Sequence, residues 1–252
     1  MLVAPAVIVM LAVTAYPIVY AIWLSLQRAD MRVPDQNEFI GLANYITVLT
    51  NPIWWQAFGI TVFYTVFGVI FELIFGMLLA IVMHRTLVGR GLVRTVVLIP
   101  YGIVTVVSAF IWRYAFAIDS GFVNQWLNLS EFDWFGDRWS AIFVICLSEI
   151  WKTTPFISLL LLAGLVQVPE DMQEAAKVDG ATAWQRLWKV TLPNMKAAIM
   201  VATLFRTLDA VRIYDNPVVM TGGANKTTTL SMLVGRETVE RVEIGMGSAL
   251  AV

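Results

Sequence analysis

AFGITVFYTVFGVIFELIFGMLLAIVM (57–83) is an apolar run interrupted by one charge, Glu72. A bilayer core about 30 Å thick is crossed by roughly 20 apolar residues in helical form, so this stretch reads as a membrane span. Further runs of this kind cover Leu2–Leu26, Thr95–Ala117, Ser140–Val166 and Ala197–Met220. A last one, GMGSALAV (245–252), starts a sixth and stops with the chain. The expected fold class is therefore all-α: a polytopic membrane protein with five complete transmembrane helices plus the start of a sixth. One membrane domain over residues 1–252 is the simplest organisation. Both ends look trimmed, and a longer native chain is expected. The first span has no basic n-region and is too long for a signal peptide.

Composition agrees. Of 252 residues, 59% are hydrophobic and only 14% charged, and the mean hydropathy is +0.74. That balance belongs to an integral membrane protein. The net charge of −1 leaves no electrostatic footprint for nucleic acid, so none is expected as a partner. Cys146 is the single cysteine and reads as a packing residue. His84, the single histidine, closes a span beside Arg85 and has no second ligand at metal-binding spacing. It reads as interfacial, and no metal or cofactor is expected on this chain.

The loops orient the spans. Loop 84–94 carries Arg85, Arg90 and Arg94 and no acid. Loop 167–196 carries Lys177, Arg186, Lys189 and Lys196 against four acids. In the connections near 27–56, 118–138 and 221–244 positive residues are sparser. The positive-inside bias puts the first two loops, and with them the N-terminus, in the cytoplasm. Trp54, Trp55, Trp112, Tyr114, Trp134 and Trp139 fall near span ends, as aromatic belts do.

Loop 167–196 is too ordered to be a mere connector. Pro169 can open a helix, and Glu170 and Asp171 suit its positive dipole end. Asp179-Gly180 should end that helix, with glycine in the left-handed conformation. Thr182-Ala183-Trp184-Gln185 is a capping box that starts a second one. Trp184, Leu187 and Trp188 then share an apolar face, and Pro193 should break the pattern before the next span. Such a helix either lies in the headgroups or inserts into a soluble partner.

The same loop resembles the EAA loop of permease subunits of binding-protein-dependent ABC importers. Glu174, Ala175, Ala176, Asp179, Gly180, Ala181, Leu192 and Pro193 stand at matching positions. Ala197 departs from a second proline often found there. WKTTP (151–155), AGL (163–165) before Val168-Pro169, Arg94 with Pro100, and Thr221-Gly222-Gly223 are similar to the sugar branch of that family. Ala224 replaces a frequent proline. HRTLVGRGLVRT (84–95), LIPYGIVTVV (98–107) and LFRTLDA (204–210) resemble trehalose importer permeases of mycobacteria. The resemblance implies a coupling helix over Glu174–Leu192, seated in a groove of a cytoplasmic ATPase. It implies a second homologous permease chain, two ATPase copies that hold ATP and Mg, and an external sugar-binding (lipo)protein. It also implies a place in the plasma membrane, in contact with lipid, and a sugar, trehalose or a related disaccharide, as substrate.

The chain supplies no nucleotide site. Gly222-Gly223-Ala224-Asn225-Lys226-Thr227 is the nearest fragment to a P-loop, and Asn225 stands where glycine is required. Charge inside the membrane is the other feature. LFRTLDAVRIYDNP (204–217) places Arg206, Asp209, Arg212 and Asp215 three apart, with alternating sign. On one helix they would wind along a single side. Either they form an ion-pair ladder, or Asp209, Arg212, Asp215 and Asn216 wall a translocation path and bond sugar hydroxyls. Glu149 and Lys152 could pair at i, i+3, with Trp151 between them; these three, with Glu72 and Arg206, are further candidates for the substrate path. Glu72 has no local partner, so it faces water or a subunit, or is protonated by burial.

Two other readings remain open. A secondary transporter would use Glu72 and the charged span as an ion site, but paired inverted repeats are not visible. An ABC permease for another small polar solute would look much the same. A membrane enzyme lacks a nucleophile–base pair.

Overall fold

The computed structural model describes residues 3–33, 37–86, 88–129 and 132–252. Leu2, the expected start of the first span, lies outside the described residues. So do 34–36, 87 and 130–131 within the expected loops. The order begins α1 (Ala4–Ser25), β1 (Gln27–Arg28), β2 (Glu38–Phe39), α2 (Ala43–Thr50) and α3 (Pro52–Arg85). It continues with α4 (Arg90–Gly102), α5 (Thr105–Ala115), α6 (Phe122–Leu127), α7 (Arg138–Val166) and α8 (Glu170–Val178). Then come α9 (Ala183–Arg186), a π turn (Leu187–Thr191), α10 (Leu192–Asn194), α11 (Lys196–Ala210), α12 (Asp215–Thr221), α13 (Leu230–Gly235) and α14 (Ile244–Ala251). The fold is nearly all-α. The departure from the expectation is the antiparallel pair β1–β2, where Gln27 faces Phe39 and Arg28 faces Glu38.

Among the described residues, three helices are long and apolar enough to cross a bilayer: Val7–Ser25 of α1, α3 and α7. The expected span Thr95–Ala117 is not one helix. It is the pair α4 and α5, bent by 84° at Ile103-Val104, and it makes a fourth candidate if counted as one broken span. Ile103 and Val104 are extended, with ψ of 135° and 132°. The expected span Ala197–Met220 is also broken. Helix α11 ends at Ala210, and α12 starts afresh at Asp215. An uninterrupted charged face over 206–215 therefore does not exist.

Two compact units divide the chain, residues 1–61 with 226–252 and residues 62–225, and α3 contributes to both. In the first, α1 packs on α14, and α14 on α2 and α13. Asn44 Nδ2 caps the end of α1, donating to the carbonyls of Ser25 at 2.8 Å and Gln27 at 2.9 Å. Gly245 N–H bonds the Ala29 carbonyl at 3.0 Å. The α1 side chains are mostly exposed, Val9, Met10 and Leu11 among them. Apolar surface of that extent is made for lipid or for another subunit.

The second unit is built round α7. Its face of Ile157, Leu161, Leu162 and Leu165 packs with Ala80 and Met83 of α3 and with Met195 and Ala202 at the start of and along α11. Small residues let membrane helices approach closely. At Gly164 an added Cβ would lie 2.3 Å from Ala198 Cβ, so α7 and α11 meet there almost backbone to backbone. Gly164→Ala should cost about 1–3 kcal/mol, as overpacking does. A lowered thermal midpoint in detergent, recovered in the double variant with Ala198→Gly, would report that contact.

Candidate functional site

Arg206 on α11 has a side chain only 3% exposed, and a guanidinium placed that deep must be met by acceptors. Glu72, fully buried on α3, accepts from Arg206 Nε and from Nη2, the latter at 3.0 Å. Glu149 on α7 accepts from Nη2 at 3.0 Å, and Asp209, three residues on along α11, from Nη1 at 2.5 Å. Thr153 Oγ1 lies 2.7 Å from Glu72 Oε1. The second Glu149 oxygen accepts from Asn216 Nδ2 at the start of α12. One guanidinium thus ties α3, α7 and α11 together. Glu149 carries the network across the break into α12.

This geometry revises three readings. Glu72 has a partner after all: Arg206, 134 residues away in sequence. It is wholly buried and is not among the residues that line the cavity described next. Glu149 does not pair with Lys152, because its oxygens are taken by Arg206 and Asn216. Of the proposed ladder only Arg206–Asp209 forms an ion pair. Arg212 lies in the break between α11 and α12, and Asp215 opens the next helix.

A cavity of about 400 Å³ opens beside the network. Glu149, Lys152, Asp209, Arg212, Asp215 and Asn216 line it. Tyr101, Thr105, Thr153, Ile213 and Tyr214 complete the wall and were not foreseen. The signals for them were faint: Pro100-Tyr-Gly interrupts an apolar run, and Thr153 follows Lys152 directly. Trp151 turns elsewhere, its ring 5.8 Å from that of Trp112. Asp209 keeps 70% of its side chain exposed, so its carboxylate has capacity to spare. The wall offers carboxylates, an amide, hydroxyls and aromatic faces, the groups that hold a polar uncharged molecule by hydrogen bonds.

Loop 167–196 follows its local chemistry. Helix α8 ends in a Schellman turn: Ala181 N–H reaches the Ala176 carbonyl at 2.9 Å, and Gly180 N–H the Lys177 carbonyl at 3.0 Å. Gly180 has φ +76°. Thr182 and Gln185 close the capping box in both directions, at 3.3 and 2.8 Å. The Trp184 and Trp188 rings meet edge to face at 5.6 Å. Both remain exposed, at 67% and 56%, while Leu187 is half-buried. Glu174 lies on α8 and Ala175 and Ala176 on its last turns, with Asp179 as the C-cap. Gln173 Nε2 bonds Thr191 Oγ1 at 2.8 Å, joining α8 to the π turn.

Pro193 does not end the helix, contrary to expectation. The chain stays helical from Ala183 through Leu192 and Pro193 to Asn194, by widening into the π turn Leu187–Thr191. A proline ring would clash with the carbonyl four residues back, and the wider turn removes that clash.

These features are those of a multi-pass membrane protein. Residues 72–231 match the family described as "Binding-protein-dependent transport system inner membrane component". The chain belongs to that family, the permease subunits of ABC importers. It is 52% identical over 254 residues to the trehalose transport system permease protein SugA of Mycobacterium tuberculosis, covering 100% of this chain and 82% of the relative. It is 36% identical over 257 residues to the trehalose/maltose transport system permease protein MalF of Thermococcus litoralis, covering 100% and 86%. Among solved structures, a bacterial alginate ABC transporter in complex with an alginate pentasaccharide-bound periplasmic protein shares the fold. Its TM-score is 0.82 at 21% identity, over 99% of this chain and 86% of that one.

Proposed function

We propose that the chain is the transmembrane permease subunit of an ATP-driven importer of trehalose or a related disaccharide. The observation that carries this reading is the polar cavity of about 400 Å³ walled by α7, by both breaks and by α12. Its size falls within the roughly 300–1,000 Å³ of small-molecule sites. Its donors and acceptors suit a ring of hydroxyls. The two relatives carry trehalose, or trehalose and maltose, in their names. In this reading Asp209, Arg212, Asp215 and Asn216 contact the sugar, and Lys152 and Glu149 shape the wall. Trp151 lies beside the path, and Glu72 and Arg206 lie behind it.

The proposed work comes from outside the chain. Glu174–Leu192 docks on a cytoplasmic ATPase that holds ATP and Mg, with Trp184, Leu187 and Trp188 toward the partner. Two ATPase copies, a second homologous permease and an external sugar-binding protein complete the assembly. The co-structure of the alginate transporter with a periplasmic protein supports the last of these. Residues 1–252 function as one permease domain in the cytoplasmic membrane, with five complete spans and part of a sixth. In two of the five, helix breaks interrupt the crossing. The N-terminus and loop 167–196 face the cytoplasm.

Asp209→Asn tests the sugar contact. It should raise the transport KM for trehalose by about tenfold or more, the scale of one charge-assisted hydrogen bond. ATPase association should be spared. Unchanged transport kinetics in reconstituted vesicles would return Asp209 to a purely structural ion pair.

A further inference from the structure

A helix that stops inside a membrane leaves its last carbonyls without intrahelical donors. In hydrocarbon each such group costs several kcal/mol. Helix α4 stops at Gly102, and the chain turns through 84° before α5 begins, within a pair long and apolar enough to be one broken span. Among the described residues the donor that answers it is Lys152 of α7. Its Nζ lies 2.8 Å from the Ile103 carbonyl and 3.4 Å from that of Tyr101. The ammonium also sits 5.7 Å from the Tyr101 ring centroid. One turn further along α7, Phe156 stacks on the same ring at 5.2 Å and 13°. Helix α7 thus grips the bend twice, by charge and by ring.

Lys152 is 7% exposed. Glu149, its nearest acid along the helix, is committed to Arg206 and Asn216. No carboxylate pairs with Lys152 among the described residues, so the ammonium is balanced by carbonyl dipoles and a ring face. Unwound carbonyls of this kind bind free monovalent cations in other broken membrane helices. Here the cation is tethered to the protein. Tyr101, Thr105 and Lys152 also line the same cavity.

We propose that Lys152 is a positioning residue whose ammonium, seated on the Tyr101 and Ile103 carbonyls, fixes the α4–α5 bend. That bend holds Tyr101 and Thr105 as a wall of the solute cavity. The transport consequence rests on the function proposed above; the clamp does not.

The test uses the assembled transporter in nanodiscs, with nitroxides on cysteines placed at Val96 and Phe110. These exposed positions, at 54% and 55%, lie one on each arm of the bend. Native Cys146 is buried. The wild type and Lys152→Arg should give one narrow distance distribution. Lys152→Met should broaden or shift it, and Lys152→Gln serves in its place if the methionine variant does not assemble. In Lys152→Ala, n-propylammonium should restore the narrow distribution. Uptake by the methionine variant should show a KM raised about tenfold or more, the scale of a misplaced contact, with Vmax little changed. A bend that is identical without the lysine overturns the proposal, and so does an alanine variant that n-propylammonium leaves altered. A bend that responds while KM stays constant supports the clamp and overturns the cavity as the sugar site.

Discussion

Arg206→Met should cost the protein about 3–5 kcal/mol, the largest stability loss expected of any single substitution here. The reason is what it leaves behind. Glu72 has no solvent exposure, and two of its hydrogen bonds come from Arg206. Glu149 and Asp209 each lose a bond to the same guanidinium. A carboxylate stranded in a low-dielectric interior is far more costly than the pair was favourable. With roughly 2–4 °C per kcal/mol for a chain of this size, the thermal midpoint in detergent should fall by about 6–20 °C. Adding Glu72→Gln should recover part of the loss, since the two sites share one network and cannot be additive. A midpoint within a degree of wild type for Arg206→Met would show that the network contributes nothing net. Equal losses in single and double variants would place the cost elsewhere than on Glu72.

Gly180→Pro should abolish uptake and solute-stimulated ATP hydrolysis while leaving membrane insertion intact. Gly180 holds φ at +76°, and its N–H closes the Schellman turn on the Lys177 carbonyl. Proline fixes φ near −65° and has no N–H, so both requirements fail together. Helix α8 and the capped helix after Thr182 would then lose their fixed angle. In the proposed mechanism that angle transmits ATPase closure to α11. Gly180→Ala keeps the N–H and pays only the left-handed penalty of about 1–2 kcal/mol, so it should retain partial activity. Assembled Gly180→Pro protein that still takes up solute at the wild-type rate would end the coupling role of this loop.

What could be read from the sequence divides along locality. The Schellman glycine and the Thr182–Gln185 capping box depend on neighbours within a few residues, and both formed as expected. The apolar runs at α1, α3 and α7 needed only their own composition. Within 204–217, the spacing located the Arg206–Asp209 pair, because residues three apart are neighbours on a helix face. Glu72–Arg206 and Glu149–Asn216 could not be read, since those partners lie 134 and 67 residues apart. The two helix breaks were hidden for a related reason. Residues 95–117 stay apolar through the bend, and the exposed carbonyls are answered by Lys152, about 50 residues further on. At 210–215 the polar residues suggested a charged helical face, where the chain instead leaves the helix. Pro193 misled in the opposite direction: a local breaker was absorbed by a π turn.

ATP-driven accumulation of the sugar is the central claim. The direct measurement reconstitutes the full native chain in vesicles with its companion permease, ATPase and sugar-binding protein, and follows labelled trehalose. Uptake that requires ATP and the binding protein, and that persists when ion gradients are collapsed, is the result predicted. Uptake that needs an ion gradient and proceeds without ATP would contradict the account.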